Sequence, residues 1–188
     1  MRVGIIAEDY SDFAVLSEIT AKLLRPRNIG FSRFVGHGCG KLRRKCGAWA
    51  VNLVQRGCPF IAVVHDLDDF HEASLRTELS RTIREANAKV SVVLIPRREI
   101  EAWLLYDAPA IAAAFAERRV PAVPGNPENV QDPKRFLRDL IKRVYGKEYL
   151  NTVHNGQIAK HIDPRRLKRS ASFFPHFGFT ERIKAILR

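Results

Sequence analysis

A chain of 188 residues with 46% hydrophobic and 28% charged side chains can bury one sizeable core, which excludes a disordered or fibrous protein. Its 32 lysines and arginines outnumber 20 acidic residues, and the formal net charge of +12 favours polyanionic partners such as nucleic acid. Three loosely spaced cysteines, Cys39, Cys46 and Cys58, with no apolar leader ahead of them because Glu8 interrupts "MRVGIIAEDY", argue against a disulfide framework and for a reducing, cytoplasmic setting.

In chain order, "RVGII" at 2–6 reads as a short buried strand. From Ser11 the apolar residues Phe13, Leu16, Ile19, Leu23 and Leu24 recur at helical spacing until Pro26. "FSRFVG" at 31–36 is a second strand, followed by a helix whose face runs through Leu42, Cys46, Trp49 and Leu53 and ends near Gly57. "PFIAVVHD" is a third strand, Leu75, Leu79, Ile83 and Ala86 mark its helix, and "KVSVVLIP" is a fourth. Strands too apolar to face water, alternating with helices, predict an α/β fold with a mostly parallel central sheet of about four strands flanked by helices.

This core is expected over about residues 1–105 of a single domain spanning 1–188, with a C-terminal helical extension over about 106–188. "AWLLYDAPAIAAAFA" is broken by Asp107 and Pro109 and is too short to cross a bilayer, so no membrane partner is expected. "VPAVPGNPENVQDPK" is a loop, and helices are expected around 133–145 and 180–187, with the basic stretch "DPRRLKRS" between them.

In a parallel sheet, functional groups collect beyond the carboxyl ends of the strands. Glu8 and Asp9 follow the first strand, Asp66, Asp68 and Asp69 the third, and Glu99 and Glu101 the fourth, so all three groups can meet at one edge. Carboxylates brought together repel, and either raise their pKa values or recruit a hard cation such as Mg²⁺. On a basic protein that combination suits metal-assisted phosphodiester chemistry.

Plainer roles exist for several of these residues. Asp68 or Asp69 can cap the following helix, and Asp69 is assigned there. Glu8 can be a polar loop residue before a Ser11 cap, and Glu101 can pair with Arg97 or Arg98 at helical spacing. Glu99 reads as structural. His65 alternates with Asp66 along the strand, so it faces the opposite side of the sheet and reads as packed. "HNGQIAKH", with His154, Asn155 and His161, lacks the hairpin of a small nuclease motif. A zinc site from His37 and the cysteines matches no paired CxxC spacing, and Cys46 fits an apolar helix face.

A strand ending in Glu8 in "IIAEDYSD" and another ending in Asp66-x-Asp68 in "VVHDLDD" resemble the Toprim domain of topoisomerases, primases and OLD-family nucleases. "IPRREIEAWLL", "DPK" at 132–134 and "SASFFPHF" are similar to a group of small stand-alone Toprim proteins of bacteria and mobile elements, so the resemblance covers most of the chain. It implies a Toprim-like fold and a Mg²⁺ or Mn²⁺ site at Glu8, Asp66 and Asp68, with these residues also acting in strand cleavage. It further implies Glu101 as an added metal ligand and Lys134 as a phosphate stabiliser. It departs from the family at Asp9, where Gly is usual; a position needing positive φ would be strained there.

The expected activity is a Mg²⁺-dependent nuclease or related phosphodiester-transfer enzyme acting on DNA or RNA, in phage defence or DNA processing. Candidate nucleic-acid contacts are Lys41, Arg43, Lys45, Arg97, Arg98, Arg165 and Arg166. The alternative is a non-catalytic nucleic-acid or nucleotide-binding partner of an ATPase encoded nearby, which the loop "GHGCGKLRRK" also suits. A phospho-receiver built on Asp66 is disfavoured by "IPRRE" after the fourth strand and by the absence of a fifth core strand carrying a lysine.

Overall fold

The computed structural model describes residues 1–25 and 28–188. Strands β1 (Arg2–Ala7), β2 (Gly30–Val35), β3 (Phe60–Val64) and β4 (Val90–Leu94) form one all-parallel sheet in the order β2-β1-β3-β4. All five residues of β3 are buried, as are five of six in β1, which explains their unbroken apolar character. β2 is an edge strand and remains partly exposed throughout. No fifth strand joins the sheet among the described residues.

Helices α1 (Tyr10–Leu23), α2 (Cys39–Gln55) and α3 (Glu72–Arg84) are the three crossovers. The strand order reverses at β1, with β2 to one side and β3 and β4 to the other. Right-handed crossovers therefore put α1 on one face and both α2 and α3 on the opposite face. Two apolar clusters reflect this. Val15, Leu16 and Ile19 of α1 pack with Val3, Ile5, Phe60 and Val64, whereas Leu42, Leu53, Leu75 and Leu79 pack with Ile6, Ile61 and Val63.

A single crossover helix cannot cover its face of a four-stranded sheet, and the C-terminal residues complete it. They form α4 (Glu101–Leu104), α5 (Ala108–Ala114), α6 (Pro133–Tyr145), α7 (Asn151–His161) and α8 (Phe174–Ile186). α7 packs along α1 and α8 against β4. Trp103, Ile158, Phe173 and Ile183 are fully buried in the cluster that α1 shares. The C-terminal helices are thus half of the core, and no break in packing falls at residue 105.

The helix expected at 133–145 is found at those bounds, while the last helix starts six residues earlier than expected, at Phe174. The helices α5 and α7 escape a periodicity reading for a physical reason. Alanine-rich α5 is buried at most positions, and α7 buries a polar residue, Asn155, beside Ile158 and Ala159. Pro26, expected to stop the first helix, lies outside the described residues. Cys46 and Cys58 are core residues remote in role from exposed His37, so the zinc combination does not assemble.

Candidate functional site

The point where strand order reverses, between β1 and β3, opens a crevice at the carboxyl edge of the sheet. Glu8 and Asp66 stand one and two residues beyond the two strands that flank it. Glu8 Oε1 accepts the Asp66 N–H at 2.9 Å, which joins the two strand tips. Burial pushes the Glu8 carboxyl up to about 7 against the lowering effect of that hydrogen bond, and the charges of Asp68 and Asp9 add to the rise.

His65 is fully buried, and its Nδ1 lies 2.6 Å from the Asp66 carbonyl oxygen and 3.0 Å from Glu8 Oε1. A carbonyl only accepts, so Nδ1 carries the proton and donates. Burial lowers the His65 pKa and keeps the ring neutral. The expectation that His65 faces away from Asp66 is met, but the same alternation puts Glu8 on His65's side of the sheet, where the two side chains touch. His65 therefore positions Glu8.

Asp66 is held well above the usual carboxylate range, first by burial and then by the charges of Asp12, Glu8, Glu101 and Asp68. Its Oδ1 is buried with no hydrogen-bond partner among the described residues. Asp12, absent from the sequence-based candidates, is the fifth acid of this group. It is 4% exposed, and its Oδ2 accepts the Asp9 N–H at 3.0 Å. Asp9 in turn accepts from the backbone N–H groups of Ser11 and Asp12 at 2.7 and 3.1 Å, so Asp9, not Ser11, caps α1 in a reciprocal capping box. Asp9 has φ −136°, an extended conformation, so the position carries no strain from the lack of glycine.

Glu101 is 3% exposed and makes no pair with Arg97 or Arg98, contrary to the surface ion-pair option. Its Oε1 accepts from Asn155 Nδ2 at 3.0 Å and from the Tyr149 hydroxyl at 3.3 Å. Asn155 belongs to helix α7 and not to a nuclease hairpin, and it also accepts from Tyr149. Burial raises the Glu101 pKa, and the nearby Lys134 charge opposes the rise. The C-terminal helices thus hold one acid of the cluster in place.

Asp68 is exposed at the crevice with φ 45°, a left-handed conformation that Asp tolerates better than most residues. One carboxylate oxygen each of Glu8 and Asp68 and the Cys39 sulfur lie within 4.8 Å of one another. Asp69, expected to cap the next helix, does not: the cap position is His71, without a side-chain bond, and Asp69 is solvated 3.9 Å from Arg98.

Around these residues lies an open cleft of about 570 Å³, lined in part by Cys39, Asp68, Phe70, Arg98, Glu99 and Asp132. Glu99 accepts the Lys134 N–H at 2.9 Å at the start of α6, a structural role as expected, which keeps Lys134 at the cleft. Arg98 lines the cleft at φ 70°, and Arg97 is exposed beside it. On α2, Lys41 and Lys45 are exposed, whereas Arg43 is bound to both Glu78 oxygens, at 3.0 and 2.6 Å. Arg165 pairs with Asp163 and Arg166 with Asp107, at 2.7 and 3.3 Å. They follow the turn at Ile162, whose carbonyl binds Lys22 at the far end of α1, about 20 Å along that helix from the carboxylates. Those two arginines do not share the candidate site.

The donors that lie close enough to share a cation are the carboxylates of Glu8 and Asp68, which suit a hard divalent ion, and the softer Cys39 sulfur, while the unpartnered Asp66 Oδ1 lies outside that group. The fold and edge define a class: a doubly wound parallel α/β domain with a partly buried carboxylate cluster at its topological switch point. Residues 7–178 match the family described as a domain of unknown function (DUF4276), and the chain belongs to that family. The matched span takes in every acid of the cluster. No curated protein and no solved structure matches the chain. No helix among the described residues is long and apolar enough to cross a membrane.

Proposed function

We propose that this protein is a Mg²⁺- or Mn²⁺-dependent nuclease, or a related phosphodiester-transfer enzyme, of the Toprim type suggested by its sequence resemblance. The observation that carries the reading is Asp66: a half-buried residue whose Oδ1 is buried without a partner, near Glu8, Asp12, Asp68 and Glu101 on a protein of net charge +12. Such a group is costly unless a cation completes it. Glu8, Asp66 and Asp68 would hold the cation, with Glu101 and Asp12 on its inner side. When bound, it supplies activation of water and neutralisation of charge at phosphorus.

The chain's own groups supply the rest. Glu8, pushed up to about 7, is able to hold or release a proton near neutral pH, and because His65 Nδ1 and the Asp66 N–H fix Oε1 as an acceptor, the proton is held at Oε2. Lys134 and Arg98, at the start of α6 and in the cleft wall, counter phosphate charge from the solvent side. Asn155 and Tyr149 orient Glu101 from behind.

Supercoiled plasmid, single-stranded DNA and RNA incubated with Mg²⁺, with Mn²⁺ and with chelator test the reading. Cleavage is expected only with cation, and Glu8→Ala and Asp66→Ala are each expected to reduce it by at least about a hundredfold. No cleavage of any substrate, or variants as active as wild type, rejects it. Retained nucleic-acid affinity without turnover would instead assign a binding component that works with a partner such as an ATPase.

A further inference from the structure

The outer face of the α2–α3 layer carries cations that the catalytic reading does not use. The two helices approach closely at Gly47, where a Cβ would come within 2.9 Å of Thr82 Cγ2. Three concavities follow one another across this layer from the start of α2 to the end of α3. One lies between the helices, lined by Gly40, Arg43, Arg44 and Glu78; the next, lined by α3 residues, shares Glu78 and adds Thr77 and Arg81; the third, also on α3, shares Thr77 and Arg81 and reaches Arg84. At the cleft end the chain passes from Cys39, which lines the cleft, directly to Gly40. Arg43 also lies 4.7 Å over the ring of Phe70, another cleft residue. The start of the groove therefore adjoins the cleft.

Arg43 is a fixed post of this groove, since Glu78 holds it with two hydrogen bonds and Phe70 covers it. The neighbouring cations differ. Arg44, Arg81 and Arg84 are exposed and have no ion pair among the described residues, and Lys41 and Lys45 flank them in the same state. Ser74, Thr77 and Ser80 add hydroxyls along the α3 side. A row of unpaired guanidinium groups with interspersed hydroxyls, leading to an acidic centre, has the donor chemistry of a phosphodiester track.

We propose that the basic surface running from the α2–α3 groove along α3, with Arg44, Arg81 and Arg84 as its principal contacts, is the track that holds the sugar-phosphate backbone of a nucleic acid and delivers it to the carboxylate cleft. The delivery clause rests on the nuclease reading; the binding clause does not. Phosphate contacts of this kind position a strand without reading its sequence, so the track predicts weak base preference and strong salt dependence.

The test is fluorescence anisotropy of a labelled single-stranded oligonucleotide and its duplex, in chelator, so that no turnover is needed. The triple reversal Arg44→Glu, Arg81→Glu, Arg84→Glu is expected to weaken binding by at least about a hundredfold and to lower the salt slope by about three, roughly one per lost contact. A control with two reversals in place of three, Arg165→Glu with Arg166→Glu at the far end of α1, is expected to change affinity by less than about fivefold. Equal losses in both proteins would show a general charge effect and overturn the track, as would failure of the wild type to bind either probe. Binding only to anionic phospholipid vesicles likewise overturns it. Normal far-ultraviolet circular dichroism of the triple variant excludes misfolding. An Asp66→Ala protein that binds normally but does not cleave leaves both readings standing; one that binds and cleaves removes the nuclease reading alone.

Discussion

Asp66→Asn is expected to raise the thermal midpoint of the cation-free protein by several degrees while removing most of its stabilisation by Mg²⁺ or Mn²⁺. In the native chain the Asp66 carboxyl faces Glu8, Asp12, Asp68 and Glu101, and its buried Oδ1 has no donor among the described residues. Leaving a buried polar group in that state costs about 1–3 kcal/mol. The amide has nearly the same shape, carries no charge and donates two hydrogens toward neighbouring carboxylates. For a chain of this length a gain of that size moves the midpoint by about 2–10 °C. The same change removes a charged oxygen donor, so a cation that adds stability to the wild type adds little to the variant. Differential scanning fluorimetry with chelator and with each cation gives both numbers. A variant less stable than wild type in chelator would mean that Asp66 is a structural acid with an unseen donor.

The second large effect is acid sensitivity through His176. This residue is fully buried where α8 crosses α1, and its Nε2 lies 3.0 Å from Thr20 Oγ1. Thr20 already donates its only hydroxyl proton to the Leu16 carbonyl at 2.6 Å, so Nε2–H donates to Thr20 and Nδ1 is left as a bare, unpartnered acceptor. Protonating Nδ1 would bury a charge with no counterion, and burial pushes the His176 pKa from 6.5 down to about 3. A base with a depressed folded pKa contributes stability that is complete above the unfolded value and lost as pH falls. The unfolded chain takes up the proton first, between 6.5 and about 3, at a limiting cost of about 1.4 kcal/mol per pH unit. Urea melts of wild type and His176→Gln between pH 7 and 4 isolate this contribution. The wild type is expected to lose about 2–3 kcal/mol more than the variant over that range. Parallel slopes would show that His176 does not titrate between native and unfolded chains.

The strand-helix alternation was legible because parallel strands buried on both faces leave long apolar runs, and "PFIAVVHD" and "KVSVVLIP" have little else. The placement of Glu8, Asp66 and Asp68 at one edge was legible for a related reason: the apolar runs of β1 and β3 end there. Asp12 was missed because attention to Ser11 as a cap hid the Asp9-x-x-Asp12 spacing, which is itself a capping-box signal. Glu8 beside His65 follows from the period-two alternation, applied to β1 as well as β3. Asn155 and Tyr149 carry no comparable signal. Their role arises only when α7 folds onto α1 and brings residues some fifty positions downstream against Glu101. The arginines divide in the same way: sequence found the basic α2 stretch, but only packing distinguishes Arg43, spent on Glu78, from the unpaired Arg44 one residue later.

Titration of the purified protein with Mn²⁺, following the free ion by electron paramagnetic resonance, tests whether the carboxylate cluster at the β1–β3 switch point holds a divalent cation, without any assumption about substrate. Saturable binding that Mg²⁺ displaces is predicted, weakened by at least about tenfold in both Glu8→Gln and Asp66→Asn. A wild-type protein that binds no Mn²⁺, or two variants that bind it as tightly as wild type, would contradict the account.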